Sequence, residues 1–188
     1  MKKIVQYICL VIVAAMPLNM MAQSNQPYEI MVNGVKVIVQ PSGNEIVVIQ
    51  TAIKGGVQNY SADKAGIENM AITALTECGT VKDDKNTFKN KIDKVSAQIN
   101  GFSGTDYTSF TMNCIKSDFE MVWPLYTAAL STPRFDSKEF DRIKQDMINS
   151  IRANESRSDN AINKMTKQNA FEGNIYAIDQ QVTVEIIV

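Results

Sequence analysis

Hydrophobic positions along this chain follow two different periods. Between residues 28 and 40, two β-rich runs flank Asn33-Gly34, and Val35, Val37 and Val39 alternate with Lys36, Ile38 and Gln40. Asn-Gly between such runs predicts a hairpin, because a type I′ turn needs positive φ at both central residues. Residues 45–53 form a third run, rich in Val and Ile, which predicts a buried strand ending at Gly55-Gly56.

The period then lengthens. Ile67, Met70, Ala71, Ala74, Leu75 and Cys78 recur at helical spacing, with Gly79 as a stop signal. Phe88, Ile92, Val95 and Ile99 predict a second helix, which residues 101–104 break. Residues 107–115 mix aromatic, hydroxyl and apolar side chains and suit another strand. Ser117 to Glu120 and Asp136 to Glu139 are spaced as capping boxes and open two further helices. Pro124 lies too deep in the first of these to be a first-turn proline, so a kink or a later start is expected. The second carries Phe140, Ile143, Met147, Ile148 and Ile151 on one face. Trp123 and Tyr126, three apart, are assigned to the core, and a last helix is expected over residues 160–171. Strands, helices, strand, helices in that order specify an α+β fold: a mainly antiparallel sheet with helices packed on one side.

Composition narrows the chemistry. The chain has 188 residues, 45% hydrophobic and 21% charged, which is ordinary globular usage. It has no histidine. That excludes Ser-His-Asp and Cys-His nucleophile systems and every zinc site that needs imidazole. Nineteen basic side chains face twenty acidic ones, so the totals carry no nucleic-acid signature. The mixed charges of residues 82–94 suit a solvated helix face.

The chain opens with Lys2 and Lys3, an apolar run over residues 8–15, then Pro17 and the small residue Ala22 before a polar stretch. This is the layout of a secretory signal over residues 1–22. It leaves residues 23–188 as a single domain and implies export, to the periplasm or cell envelope of a bacterium. Cys78 and Cys114 remain after its removal, suited either to pairing or to burial as two separate thiols.

Longer stretches carry a resemblance. "NEIVVIQTAIKGGVQNYSADKAGIENMAITALTECGT" and "GFSGTDYTSFTMNCIKSDFEMVWPLYTAALSTPRFDSKEFDRIKQDMINSIR" resemble, in order and spacing, the N-terminal domain of the insulinase/pitrilysin family. These are the inverted-zincin metallopeptidases, which include mitochondrial processing peptidase. The match covers roughly residues 28–152 and implies the same α+β domain. The family domain normally continues further, so this one is expected to be incomplete at its C-terminus.

Active members of the family carry H-x-x-E-H on the first helix: two zinc-binding histidines and a glutamate that acts as general base. A glutamate on a later helix is the third ligand. Aligning on Ala65-Gly66-Ile67 places the first histidine at Asn69, the glutamate at Ile72 and the second histidine at Thr73. The third ligand falls at Ser150, in register with Ile143 and Met147 and therefore expected to point inward. None of the four carries the family's chemistry. Glu68 and Glu77, other acids of that helix, point to opposite sides at about 100° per residue. The resemblance therefore implies a non-catalytic homologue that needs no cofactor and binds no zinc.

Two readings of the old cleft stay open. It is refilled, with Ile72 packed and Asn69, Thr73 and Ser150 satisfying one another, or it survives as a metal-free peptide cleft. In the family an exposed edge strand adds the substrate peptide to the sheet, and here that position falls on Asn100, Gly101, Phe102 and Ser103. The other reading of that segment is a Gly-rich turn. Family enzymes close two homologous halves over a peptide. The implied partner is therefore a zinc-bearing chain of the family or a second homologous half, with a peptide as ligand. The alternatives are the regulatory half of an active two-chain zinc metalloendopeptidase, or a truncated remnant.

Overall fold

The computed structural model describes residues 26–178. The expected signal over residues 1–22 and the end of the tail, residues 179–188, lie outside the described residues. The chain divides between Asn44 and Glu45 into two compact units.

In the first unit, β1 (Tyr28–Val32) and β2 (Val35–Val39) form an antiparallel hairpin with Tyr28 opposite Val39 and Val32 opposite Val35. Asn33 and Gly34 take φ of 50° and 85°, the pair of positive angles that a type I′ turn requires. Because side chains alternate, Tyr28, Ile30 and Val32 share one face with Val35, Val37 and Val39. On the other face Lys36 bridges Glu29 at 2.8 Å.

The second unit is built on a three-stranded antiparallel sheet: β3 (Ile46–Lys54), β4 (Gln98–Ser103) and β5 (Tyr107–Ile115), with β5 in the middle. Ile46 faces Ile115 and Lys54 faces Tyr107 on one side of β5. Gln98 faces Asn113 and Ser103 faces Thr108 on the other. Five helices accompany the sheet: α1 (Ile67–Glu77), α2 (Lys85–Asp93), α3 (Phe119–Ser131), α4 (Ser137–Glu155) and α5 (Ser158–Ala170). The core explains the layering. Phe110, Met112 and Cys114 of β5 are buried with Ile72 of α1, Phe88 and Ile92 of α2, and Val122, Leu125, Tyr126 and Ala129 of α3. Alternation puts these β5 side chains on one face, so the helices cover that face, as the sequence predicts for an α+β domain. Ile46, Val48, Phe102, Tyr107 and Ile115 are exposed, all at positions that alternation assigns to the opposite face.

This one-sided cover corrects the expectation that residues 45–53 form a buried strand. β3 has one neighbour among the described residues and one covered face, so its side chains alternate between half-buried and exposed. The second helix is also shorter than expected. α2 ends at Asp93, the backbone N–H of Val95 and of Ala97 both reach the Ile92 carbonyl, and Ser96 adopts φ 51°. That left-handed residue turns the chain, so Ile99 enters β4 instead of extending the helix. Residues 101–103, expected to break the chain, are themselves β4. The turn comes one residue later, where the Gly104 N–H donates to the Tyr107 carbonyl at 2.9 Å.

Helix ends follow the sequence unevenly. Asp136 caps α4, its carboxylate accepting from the N–H groups of Lys138 and Glu139 at 3.1 and 3.3 Å. The box expected at Ser117 does not form. A 3-10 turn over Lys116–Asp118 precedes α3, and no side chain caps it. Pro124 sits inside α3. Tyr126 is buried as expected and donates to the Phe110 carbonyl at 2.8 Å. Trp123 is 39% exposed, a correction to its assignment to the core. It stacks between Phe119 and Tyr126, with ring centroids 5.9 and 5.8 Å away. Cys78 and Cys114 are two free thiols in separate clusters. Burial pushes both thiols above their ordinary value.

The lysines of α2 do more than face solvent. Lys89 reaches Glu77 of α1 at 2.5 Å and Lys85 reaches Glu139 of α4 at 2.8 Å. Arg142 of α4 joins the two pairs by contacting Glu77 at 3.1 Å, Glu139 at 2.8 Å and Asp146 at 2.6 Å. Burial alone would push the Glu77 carboxyl up, but Lys89 and Arg142 outweigh it and hold the group below the usual carboxylate range. A carboxyl depressed in the folded state stabilises fully above its unfolded pKa, and that stability is lost as pH falls through the depressed value. Glu77→Gln is therefore expected to cost about 1 kcal/mol at pH 7 in urea unfolding. The variant should also lose less stability than the parent between about pH 5 and about pH 3. Identical acid profiles would show that the network contributes nothing.

Candidate functional site

α1 starts abruptly. Gly66 precedes it with φ 82°, a left-handed conformation that suits glycine. Glu68, in the first turn, turns back to the loop that follows β3. Its two carboxylate oxygens accept the Gly56 N–H at 2.9 and 2.8 Å, and Oε2 also accepts the Thr108 hydroxyl at 3.0 Å. Gly56 itself takes φ 95°, and a Cβ there would fall 1.8 Å from the Thr105 carbonyl oxygen. The loop thus needs both glycine and an acceptor for its N–H, and Glu68 supplies the acceptor. The sequence reading missed this role. The signal was available in Gly55-Gly56 together with an acid in the first turn of the next helix.

Further along α1, Ile72 is 3% exposed and belongs to the main core. The sequence had assigned the buried face to Ile67, Met70, Ala71, Ala74 and Leu75. Ala74 and Cys78 of that face are buried and Met70 and Leu75 half-buried, but Ile67 and Ala71 are exposed, and Ile72, outside that face, is buried. The helix is covered on two sides, since Ala74 and Cys78 pack with Ile143 while β4 lies against Ile72 at Gly101. A Cβ on Gly101 would sit 2.4 Å from Ile72 Cγ1 and 3.2 Å from the Ile72 carbonyl oxygen.

Asn69 and Thr73 come together on α1. The Thr73 hydroxyl donates to the Asn69 carbonyl at 2.8 Å and lies 3.4 Å from Asn69 Oδ1. Thr76 repeats the pattern, donating to the Thr73 carbonyl at 2.8 Å. These are local bonds back along the helix. Ser150 does not join them. It is exposed on α4, contrary to the inward orientation expected from its register with Ile143. The reason lies in how the buried face of α4 drifts. Ala74 and Cys78 cluster with Ile143, but towards its C-terminus α4 buries Ile148 beside Met70 and Ile151. Ser150 is two residues from Ile148, about 160° around the helix.

These residues do not fit the zinc ion of the active family members. Ile72 offers no donor and is enclosed in the core. The Thr73 hydroxyl is engaged by the helix backbone, and Ser150, expected to align with the third ligand, is an exposed hydroxyl. Glu68 and Glu77 are committed elsewhere, to the Gly56 loop and to the Lys89–Arg142 network. Among the described residues, no group of three His, Cys, Asp or Glu side chains is placed to hold a metal.

Asn100, Gly101, Phe102 and Ser103 lie together on β4, an edge strand among the described residues and not a turn. Antiparallel strands alternate between pairs that exchange main-chain hydrogen bonds and pairs that do not. The bond from Gly104 to Tyr107 fixes the phase. Gln98, Asn100 and Phe102 therefore bond β5 through Asn113, Thr111 and Ser109. On the far side, the Lys116 N–H donates to the Glu45 carbonyl at 2.8 Å, which assigns the alternate β5 residues to β3. The N–H and C=O groups of Ile99, Gly101 and Ser103 consequently face away from β5. Ser103 Oγ is buried without a hydrogen-bond partner, and Phe102 is 59% exposed.

The family model for insulinase, peptidase family M16, matches residues 37–179. The chain belongs to this family. Similar solved structures include a peptidase M16 inactive domain from Pseudomonas fluorescens, 15% identical with TM-score 0.77, and a protease from Helicobacter pylori, 14% identical with TM-score 0.77. The first alignment covers 86% of this chain and the second 87%; each covers 40% of the other protein. At this identity the likeness is one of fold. No curated protein matches the chain.

An acid at position 72, where the sequence alignment places the family's general base, is expected to destabilise the fold. Ile72→Glu places a carboxylate without a partner in the main core, and a loss of about 3 kcal/mol or more in thermal or urea unfolding is expected. A variant as stable as the parent would mean that this part of α1 opens readily to water.

Proposed function

We propose that this insulinase-family protein is a non-catalytic, peptide-binding partner subunit. The observation that carries the reading is the edge of β4, which has no strand beside it among the described residues. It presents the main-chain groups of Ile99, Gly101 and Ser103 beside α1, whose aligned positions hold Asn69, Ile72 and Thr73 in place of the family's zinc motif. Strand addition draws its affinity from main-chain hydrogen bonds, so it does not depend on a metal. The loss of the catalytic residues removes hydrolysis and leaves that edge intact.

The partner in this reading is a zinc-bearing chain of the same family or a second homologous half. The habit of the family, whose members pair homologous halves, supports it. The start of the sequence supports export to a bacterial periplasm or envelope, where the two chains meet. No cofactor is needed by this chain itself.

The test is a native pull-down of the exported protein, with mass spectrometry and a chelator-sensitive peptide-cleavage assay on the eluate. An H-x-x-E-H chain of the family and chelator-sensitive activity are expected in the eluate, with no cleavage by this protein alone. Zinc-dependent cleavage by the isolated chain would overturn the non-catalytic reading. Absence of any family member from the eluate would overturn the partner role.

A further inference from the structure

We propose that Gly101 and Ile72 form a steric key that sets the height of the β4 edge above α1, making Gly101 a positioning residue for the bound peptide. The proposal rests on the peptide-binding reading above and adds the device that holds the site in place. A Cβ at position 101 would lie 2.4 Å from Ile72 Cγ1 and 3.2 Å from the Ile72 carbonyl oxygen. The approach thus involves both the side chain and the backbone of the helix, and only glycine allows it. Ile72 cannot withdraw, since it is 3% exposed and packed in the same core as Phe88, Phe110 and Leu125.

Gly101 is also the middle of the three residues whose N–H and C=O groups face away from β5. A peptide strand added there lies about 4.8 Å from β4. Its residue opposite Gly101 projects to the helix side of the sheet, because paired residues share a face. The bound strand therefore meets two surfaces at once: the edge of β4 through its backbone, and α1 through that side chain. A methyl group at position 101 forces β4 away from α1 by about 1 Å, which is enough to spoil hydrogen-bond geometry for a ligand held by both. Ile72 is also the residue that the sequence alignment sets at the family's general-base position.

The experiment measures anisotropy of a fluorescein-labelled, capped octapeptide of alternating threonine and valine with a lysine at each end. It compares the parent, Gly101→Ala, and Gly101→Ala combined with Ile72→Ala, each below its melting transition. Gly101→Ala should weaken binding about tenfold, and the double variant should return to within about threefold of the parent. A purely structural glycine would lower the melting temperature without this rescue of affinity. Methylating alternate amides of the probe gives a second readout, in which one alternate set should abolish binding and the other leave it unchanged. If Gly101→Ala does not fold, the double variant is compared with Ile72→Ala alone, and equal affinities are expected. Parent-like binding by Gly101→Ala, or a double variant as weak as the single, overturns the steric key and leaves peptide binding standing. A parent that does not bind the probe overturns the peptide-binding reading and the key with it.

Discussion

The second unit depends on β5. Its two edges hold β3 and β4 in register, and its inward side chains Phe110, Met112 and Cys114 form the floor on which α1, α2 and α3 pack. A strand in this position is hydrogen-bonded on both sides, so it cannot shift without breaking two ladders. Tyr126 ties the helical layer to that strand: its hydroxyl donates to the Phe110 carbonyl and lies 2.7 Å from the Thr51 hydroxyl on β3. Its ring stacks on Phe110 at 5.0 Å. The apolar contact and the buried polar contact therefore point the same way, which favours one packing over its alternatives.

From this floor, α1 is held at three points by three kinds of interaction. At its start, Glu68 takes the N–H of Gly56. In its middle, Ile72 lies against Gly101. At its end, Glu77 meets Lys89 of α2 and Arg142 of α4. The first contact is a hydrogen bond, the second is steric and the third is ionic. The family's fold thus persists at 15% identity to a solved neighbour because alternation, helical period and close packing specify it, and those features tolerate substitution. The family's catalytic chemistry depends on a few side chains at fixed positions, a demand that the fold itself does not make. Main-chain groups at a strand edge do not depend on which side chains the strand carries, and the proposed peptide binding rests on them.

Much of this was legible in the residues. Asn33-Gly34 determined the hairpin and its turn, because positive φ at two successive residues is a local requirement. The alternation of β5, the apolar face of α4 and the cap at Asp136 were determined in the same local way. The order of strands and helices determined the α+β class, and the absence of histidine excluded whole classes of chemistry before any fold was known. Only the tertiary structure decided the rest. Ile99 kept a helical spacing past the point where Ser96 turns the chain, since periodicity records spacing and not the hydrogen bonds that end a helix. The burial of Ile72 on a second side of α1 follows from the approach of β4 at Gly101, a neighbour remote in sequence. Ser150 fell outside the site because the buried face of α4 drifts to follow Met70. Which backbone groups of β4 are free depends on the phase of its pairing with β5, and that phase belongs to the assembled sheet and to no single segment of the chain.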